Sequence, residues 1–493
     1  MHRSLRPKTL KRVKIKSNAL EEKSFGRLGR EKMDQQENRA NKWPTLIATT
    51  ISYFLTPLAL SSVSVALPSM GREFSANALT LSWVATIYLL TSAIFLVPIG
   101  KLSDIYGRKK IFIFGNFLFA VSSFLIALSP NAETVILLRA LQGIACAMVY
   151  GTGLAILTSV YPPDDRGKAL GINVAAVYLG LSFGPFIGGV FTQHFGWRST
   201  FFFNVPFGIF IVVYCMRKLK GEWAEARGET FDYAGSFIYS ITVLSIVYGF
   251  SLLPERSSTI PIAIGLVGVI AFVYWETRVK NPLLDIRLFK TNRAFTLSNM
   301  SAFINYGSTF AIGFLLSFYL QHIKGFSPQK AGIVMVSQPV VQALLSPAAG
   351  RISDRVEPRI VASVGMALTA AGVFLLALLK ENTSTVFILT SLVILGCGIA
   401  IFSSPNANAI MGSVERRYYG VAASLVSTMR LFGQMFSMGI AMLIFALYIG
   451  RAEISPAYYP HLLRSVKAAF VIFGTLCVGG TFASLTRGNI RGA

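Results

Sequence analysis

Two arginines, Arg139 and Arg430, stand inside long apolar stretches, and no carboxylate lies at comparable depth. An ionisable side chain in such a stretch is costly and marks a functional site by default. Arg430 lies about ten residues into its stretch, roughly 15 Å at the helical rise, near the middle of a bilayer. A guanidinium there can take part in proton transfer, hold an anion, or bond to carbonyls of neighbouring helices. The carboxylates nearest to apolar sequence are Asp104 and Asp354 between stretches, Glu133 at the end of one, and Asp232 at the start of another. All four histidines (His2, His194, His322, His461) fall in polar segments, so no imidazole is expected inside the membrane. The four cysteines (Cys146, Cys215, Cys397, Cys477) fall inside apolar runs, at spacings that suit neither a disulfide nor a metal site. An embedded hydrolase or acyltransferase needs a His, Cys or Ser constellation with a base, and none is present. No enzyme, metal or cofactor is expected. Tyr53, Tyr88, Gln142, Tyr178, Asn305, Tyr306, Gln338, Gln342, Asn406 and Gln434 add aromatic and amide groups inside the apolar stretches. Such a mixture suits a broad apolar pocket with a few polar contacts. Each residue taken alone could equally serve helix packing.

The elements that must position these residues follow from composition. The chain has 493 residues, 53% hydrophobic and 14% charged. Soluble domains carry about 25% charge, so a water-soluble fold is excluded. Fourteen apolar segments run between residues 44 and 486, the shortest at 259–276, and a spanning helix needs about 20 apolar residues. An even number places both termini on one side. Residues 1–42 hold 13 Lys and Arg against 5 Asp and Glu, without the apolar core of a signal peptide. They read as a disordered cytoplasmic tail with affinity for anionic lipid rather than a nucleic-acid arm. Beyond that tail, the cytoplasmic set of loops carries 22 Lys and Arg and the opposite set 9. Positive residues mark the inside, so both termini are expected in the cytoplasm.

A repeat organises the segments. Gly100, Lys101, Leu102, Ser103 and Asp104 follow the second, and Gly350, Arg351, Ile352, Ser353 and Asp354 follow the tenth. Parallel six-helix repeats are a transporter architecture, and eight segments between the copies imply two inserted helices. The expected organisation is a tail (1–42), a six-helix bundle (43–220), two linker helices with their loops (221–293), a second bundle (294–486) and a short tail (487–493).

The loop from Gly100 through Asp104 to Gly107, Arg108, Lys109 and Lys110 is a tight cationic turn whose aspartate can accept from amides at a helix N-terminus. It resembles the signature loop of the major facilitator superfamily, apart from Ile105 where that family carries a basic residue. Arg139, Ala140, Leu141, Gln142 and Gly143 resemble the family's fourth-helix arginine motif. Gly180, Gly184, Pro185, Gly188 and Gly189 resemble its antiporter motif, with small residues four apart for close helix contact and a proline that removes one backbone bond. Gly196 to Arg198, Phe203 to Pro206, Phe231 to Gly235, Asn281 to Asp285, Tyr319 to Gly332 and Thr428 to Gly433 resemble the 14-span drug:proton antiporters, over about residues 43–486.

That resemblance implies an all-α polytopic membrane protein of the major facilitator fold, with two six-helix bundles and two extra central helices. It implies alternating access between bundles, with switch loops at Gly100, Asp104, Gly107, Arg108, Gly350 and Asp354 and with Arg139 and Asp232 as proton-transfer candidates. The implied activity is export of small amphipathic compounds of the multidrug type against protons, by a monomer in the plasma membrane. One position departs: Ala59 stands where the family carries an aspartate in its first helix. With Arg139 and Arg430 unpaired, a neutral or anionic substrate is expected. An uncoupled or anion-exchanging carrier of a specific metabolite is the alternative.

Overall fold

A computed structural model describes residues 41–488, apart from 64, 68, 72, 77, 253–255, 327 and 449–458. The basic tail before residue 41 and residues 489–493 lie outside the described residues. The apolar segments fold as helices: α1 (Asn41–Val63), α2 (Ala78–Tyr106), α3 (Arg108–Ala127), α4 (Ala132–Val160), α5 (Pro163–Phe195) and α6 (Arg198–Lys218). The chain continues through α7 (Tyr233–Ser251), α8 (Thr259–Glu276), α9 (Arg293–Phe318) and α10 (Pro328–Arg355). It closes with α11 (Pro358–Ala377), α12 (Thr385–Gly412), α13 (Tyr419–Tyr448) and α14 (Tyr459–Leu485). Thirteen of these are long and apolar enough to cross a membrane, and α7 is a shorter apolar helix.

Local signals set the ends. Asn131, Asn292 and Ser384 cap α4, α9 and α12 by accepting from Thr134, Phe295 and Phe387 amides, while prolines open α5 and α11. The helices form two six-helix bundles, α1–α6 and α9–α14, with no strand among the described residues. The bundles meet where α5 lies against α10 and α12, and where α13 lies against α2 and α4. The linker helices α7 and α8 pair with each other, and α7 packs on α2 and α13.

Between α6 and α7, the loop 219–232 covers the α2–α3 turn. Trp223 accepts from the Arg108 amide at 2.9 Å, Ala226 donates to the Asp104 carbonyl at 3.0 Å, and Glu222 caps α3 at the Lys109 amide, 2.8 Å away. Lys101 and Glu229 add an ion pair at 2.6 Å. Gly107, at φ 118°, makes the sharp entry into α3 that a side chain would strain.

The opposite end has its own clamp. Glu73 accepts from the Arg198 guanidinium at 2.6 Å and from the Trp197 indole at 2.7 Å, and Arg198 also reaches the Ser129 carbonyl. The Arg198 and Trp197 hydrogen bonds hold the Glu73 carboxyl below its ordinary range. A carboxylate with a depressed folded pKa stabilises the fold above its unfolded pKa and loses that contribution as pH falls through the folded value. Glu73→Gln therefore lowers the Tm near neutral pH, and the gap from wild type closes in acid. A gap that stays constant with pH in thermal scans contradicts this account.

Candidate functional site

The signature loop reaches across the molecule. Asp104 is fully buried and accepts from the Gly420 amide at 2.9 Å and the Val421 amide at 3.2 Å, at the start of α13. Arg108 holds the same carboxylate at 2.7 Å and also bonds Ser159 and the Arg416 carbonyl. The second copy makes the mirrored contact. Asp354 accepts from the Gly167 amide at 2.6 Å and the Lys168 amide at 2.9 Å, at the start of α5. Each half thus places an aspartate on backbone amides near a helix start of the other half, in the first turn of α13 and just past the first turn of α5, where the helix dipole favours an anion. Gly100 lies against the Gly420 carbonyl, and Gly350 against Gly167. The two bundles are closed on this face.

Above the latches lies a central cavity of about 130 Å³. Tyr53, Tyr88, Tyr150 and Tyr178 line it from the first bundle, and Tyr306, Ser403, Arg430 and Gln434 from the second. Arg430 sits over the Tyr150 ring at 4.5 Å, and Tyr150 meets Tyr53 edge to face at 4.7 Å. Tyr178 bridges the halves through Ser403 Oγ at 3.3 Å. Among the described residues the lining holds one charge, Arg430, and no carboxylate.

Arg139 lies behind that wall. It is fully buried over the Tyr88 ring at 4.4 Å, and donates to the Val84 carbonyl at 3.0 Å and to Gln142 at 2.7 Å. Its Nη2 has no hydrogen-bond partner among the described residues. Tyr88 thus separates Arg139 from the cavity. Ala59 is buried as well and lies off the lining.

Five residues expected at the cavity stand elsewhere. Gln142 is held by Arg139 and Ser123, Asn305 by Met366, and Asn406 by the Ser298 carbonyl and Arg487. Their amides are occupied by contacts between helices, which a periodicity argument does not distinguish from pocket contacts. Gln338 and Gln342 sit on α10 away from the lining. Asp232 stands at the start of α7, outside the cavity, where it accepts from the Gly235 amide and the Trp275 indole.

Sequence reasoning did not select Tyr150, Cys146, Thr56 or Asn173, all of which line the cavity. Cys146 and Tyr150 are four apart, and both lie on the helical stripe that begins at Arg139, so that stripe was the available signal. Arg487 was read as tail, yet it is buried and bonds Ser298, Asn406 and the Pro358 carbonyl.

The antiporter-like stripe packs α5 on α1. A Cβ on Gly188 would come within 2.6 Å of the Ser62 carbonyl, and one on Gly184 would strike Ser61. Gly180 faces the Phe54 carbonyl in the same way. Gly189 points elsewhere, its nearest neighbour being Val65 at 3.8 Å. Pro185 stays within a continuous α5.

The model of the Major Facilitator Superfamily matches residues 49–284 and 299–488. The chain belongs to that superfamily. The riboflavin transporter RibZ of Clostridioides difficile is 32% identical over 392 residues, covering 79% of this chain and 85% of the relative. The multidrug resistance protein Stp of Mycobacterium tuberculosis is 28% identical over 428 residues, covering 86% and 78%. The human organic anion transporter MFSD10 shares the fold with a TM-score of 0.66 at 14% identity, covering 90% of this chain and 99% of its own. The chain is a polytopic membrane transporter and not an enzyme.

Two outcomes follow for this transporter. Asp104→Asn keeps one acceptor but turns an amide N–H₂ toward the other helix amide, weakening the closed face by about 1.5–3 kcal/mol. Spin labels at Lys110 and Arg417 then report a wider distance distribution, and an unchanged distribution contradicts the latch. Gly188→Ala costs about 1–3 kcal/mol in unfolding of the detergent-purified protein, while Gly189→Ala leaves stability unchanged. Equal effects at both positions would show that the stripe does not set the α1–α5 contact.

Proposed function

We propose that this superfamily member exports small amphipathic compounds that are neutral or anionic, by alternating access with proton antiport. The observation that carries the reading is the cavity lining: five tyrosines around a single guanidinium, with no carboxylate among the described residues. A lipophilic cation in that pocket meets Arg430 with no counter-charge, which desolvation makes expensive. A neutral or anionic ring system can stack on Tyr53 and Tyr150 and receive hydrogen bonds from Arg430. Riboflavin and tetracenomycin C, the cargoes named for two relatives, are polycyclic and carry no fixed positive charge.

In this reading the paired aspartate contacts latch the outward-facing state in the plasma membrane, with both termini in the cytoplasm. Residues 43–220 and 294–486 are the two bodies that rock, with Arg487 packed into the second, 221–293 link them, and residues 1–42 and those after 487 are the cytoplasmic tails. The transporter works as a monomer on small molecules and protons within the lipid bilayer. Arg139, stacked on a cavity tyrosine, and Asp232 are the proton-transfer candidates. Ala59 supports a second reading, an uncoupled or anion-exchanging carrier, because the first helix offers no acid to carry a proton.

Purified protein in liposomes with an internal pH dye separates the two readings. Neutral and anionic aromatic compounds move with a counter-flow of protons, and Arg430→Gln raises half-saturation for anions about 10–100-fold, the effect of one charge-assisted bond. Transport of cations in preference to anions overturns the substrate reading. Anion movement without a pH response supports the exchanger.

A further inference from the structure

The loop 219–232 and the linker helices enclose a pair of acids that the cavity does not use. Asp232 is 8% exposed and Glu276 3% exposed, at the start of α7 and the end of α8. A methyl group built on Gly235 would collide with Asp232 Oδ2 and Glu276 Oε1 at once. The two carboxyl groups therefore converge on the same side of that glycine, 44 residues apart in sequence.

Their hydrogen bonds are unequal. Asp232 accepts from the Gly235 amide at 2.8 Å and from the Trp275 indole at 3.0 and 3.3 Å, on the N-terminal end of α7. That set suits an anion. Glu276 Oε2 accepts from the Leu284 amide at 3.0 Å, whereas Glu276 Oε1 is buried with no hydrogen-bond partner among the described residues. A buried carboxylate oxygen facing a second carboxylate without a donor is unfavourable twice over, by desolvation and by like charge. The cation that faces the pair is Lys101 on α2, which Glu229 of the 219–232 loop already engages at 2.6 Å.

We propose that Asp232 and Glu276 form a one-proton site, with the proton on Glu276 Oε1 directed at Asp232 Oδ2. Two carboxyls at one buried position hold a single proton, which belongs to the pair. Uptake forms one O–H bond and leaves a net charge of minus one. Release to water breaks that bond and leaves two facing carboxylates, which push the end of α8 from the start of α7. That junction adjoins the loop whose Trp223 and Ala226 hold the Asp104 turn. The site thus supplies a titratable acid beside one latch, where the cavity has none. Its use in antiport rests on the proton-coupled reading above; the binding of the proton does not.

Infrared difference spectra of the purified protein, stepped through the neutral pH range without substrate, test the binding. The wild type shows a protonated carboxyl band that disappears as pH rises. The band is absent in Glu276→Gln and is lost at lower pH in Asp232→Asn, which lacks the opposing charge. Trp275 fluorescence gives a second readout that does not depend on those variants folding. Wild type minus Trp275→Phe shows a step over the same pH range as the band. Superposable spectra for wild type and Glu276→Gln, or a Trp275 signal flat across that range, overturn the proposal. A titrating band in protein that moves substrate without protons upholds the site and removes it from the transport cycle.

Discussion

The structure depends on one contact made twice: a buried aspartate of one half accepting backbone amides near the start of a helix in the other half. A helix N-terminus leaves amide groups without partners, and at a buried interface those groups need an acceptor. Asp104 supplies it to the first turn of α13, while Asp354 holds the Gly167 and Lys168 amides just past the first turn of α5. The second bundle does not complete the first turn of α13 by itself. The halves are therefore mutually dependent on this face, and the dependence is reversible because water can replace the carboxylate when the halves part. A hydrophobic seal of the same area would lack that property, since lipid and protein offer apolar groups nearly equal surroundings.

Closing one face places the remaining polar groups under a second constraint. Charges left inside need partners, and the two arginines deep in the helices, fully buried Arg139 and half-buried Arg430, meet this in different ways. Arg139 is tied to Val84 and Gln142 behind Tyr88. Arg430 stands on the Tyr150 ring at the cavity wall. A guanidinium on an aromatic face keeps donors directed elsewhere, so the cavity presents cationic donors against aromatic walls. The proposed preference for neutral or anionic cargo rests on this imbalance and not on the shape of the pocket.

Much of the fold was legible in the sequence because its signals are local or repetitive. Fourteen apolar runs, the Gly100 to Asp104 repeat at Gly350 to Asp354, and the alternation of basic loops each need only nearby residues. Tyr53, Tyr88, Tyr178, Tyr306, Arg430 and Gln434 were selected as cavity residues, and all line it. The amides other than Gln434 were misplaced for a physical reason: a buried Gln or Asn in a bundle meets its demand through whichever helix is nearest. Asn406 turns to Ser298 and Arg487, and Asn305 to Met366. Such partners are set by helix rotation, which an apolar run does not encode. The pairing of Asp232 with Glu276 was hidden for the same reason, since it requires the α7–α8 hairpin to close.

The inserted helices make the two latches unequal. The Asp354 turn passes to α11 within a few residues, Val356 and Glu357 lying between the helices. The Asp104 turn is instead covered by the 219–232 loop, through Trp223, Ala226, Glu222 and the Lys101 ion pair with Glu229. A transporter of two matched halves has matched contacts on its closed face. Here the loop leading into the linker helices adds bonds to the Asp104 latch, so that opening the Asp104 side also disturbs the packing around α7. Additional bonds in the closed state raise its share of the population by their own free energy, and in the open state they must be broken or carried along. The linker helices are thus more than a spacer between repeats. They tie the closed face to a buried acid pair, and any change in the charge of that pair acts first on the less symmetric latch.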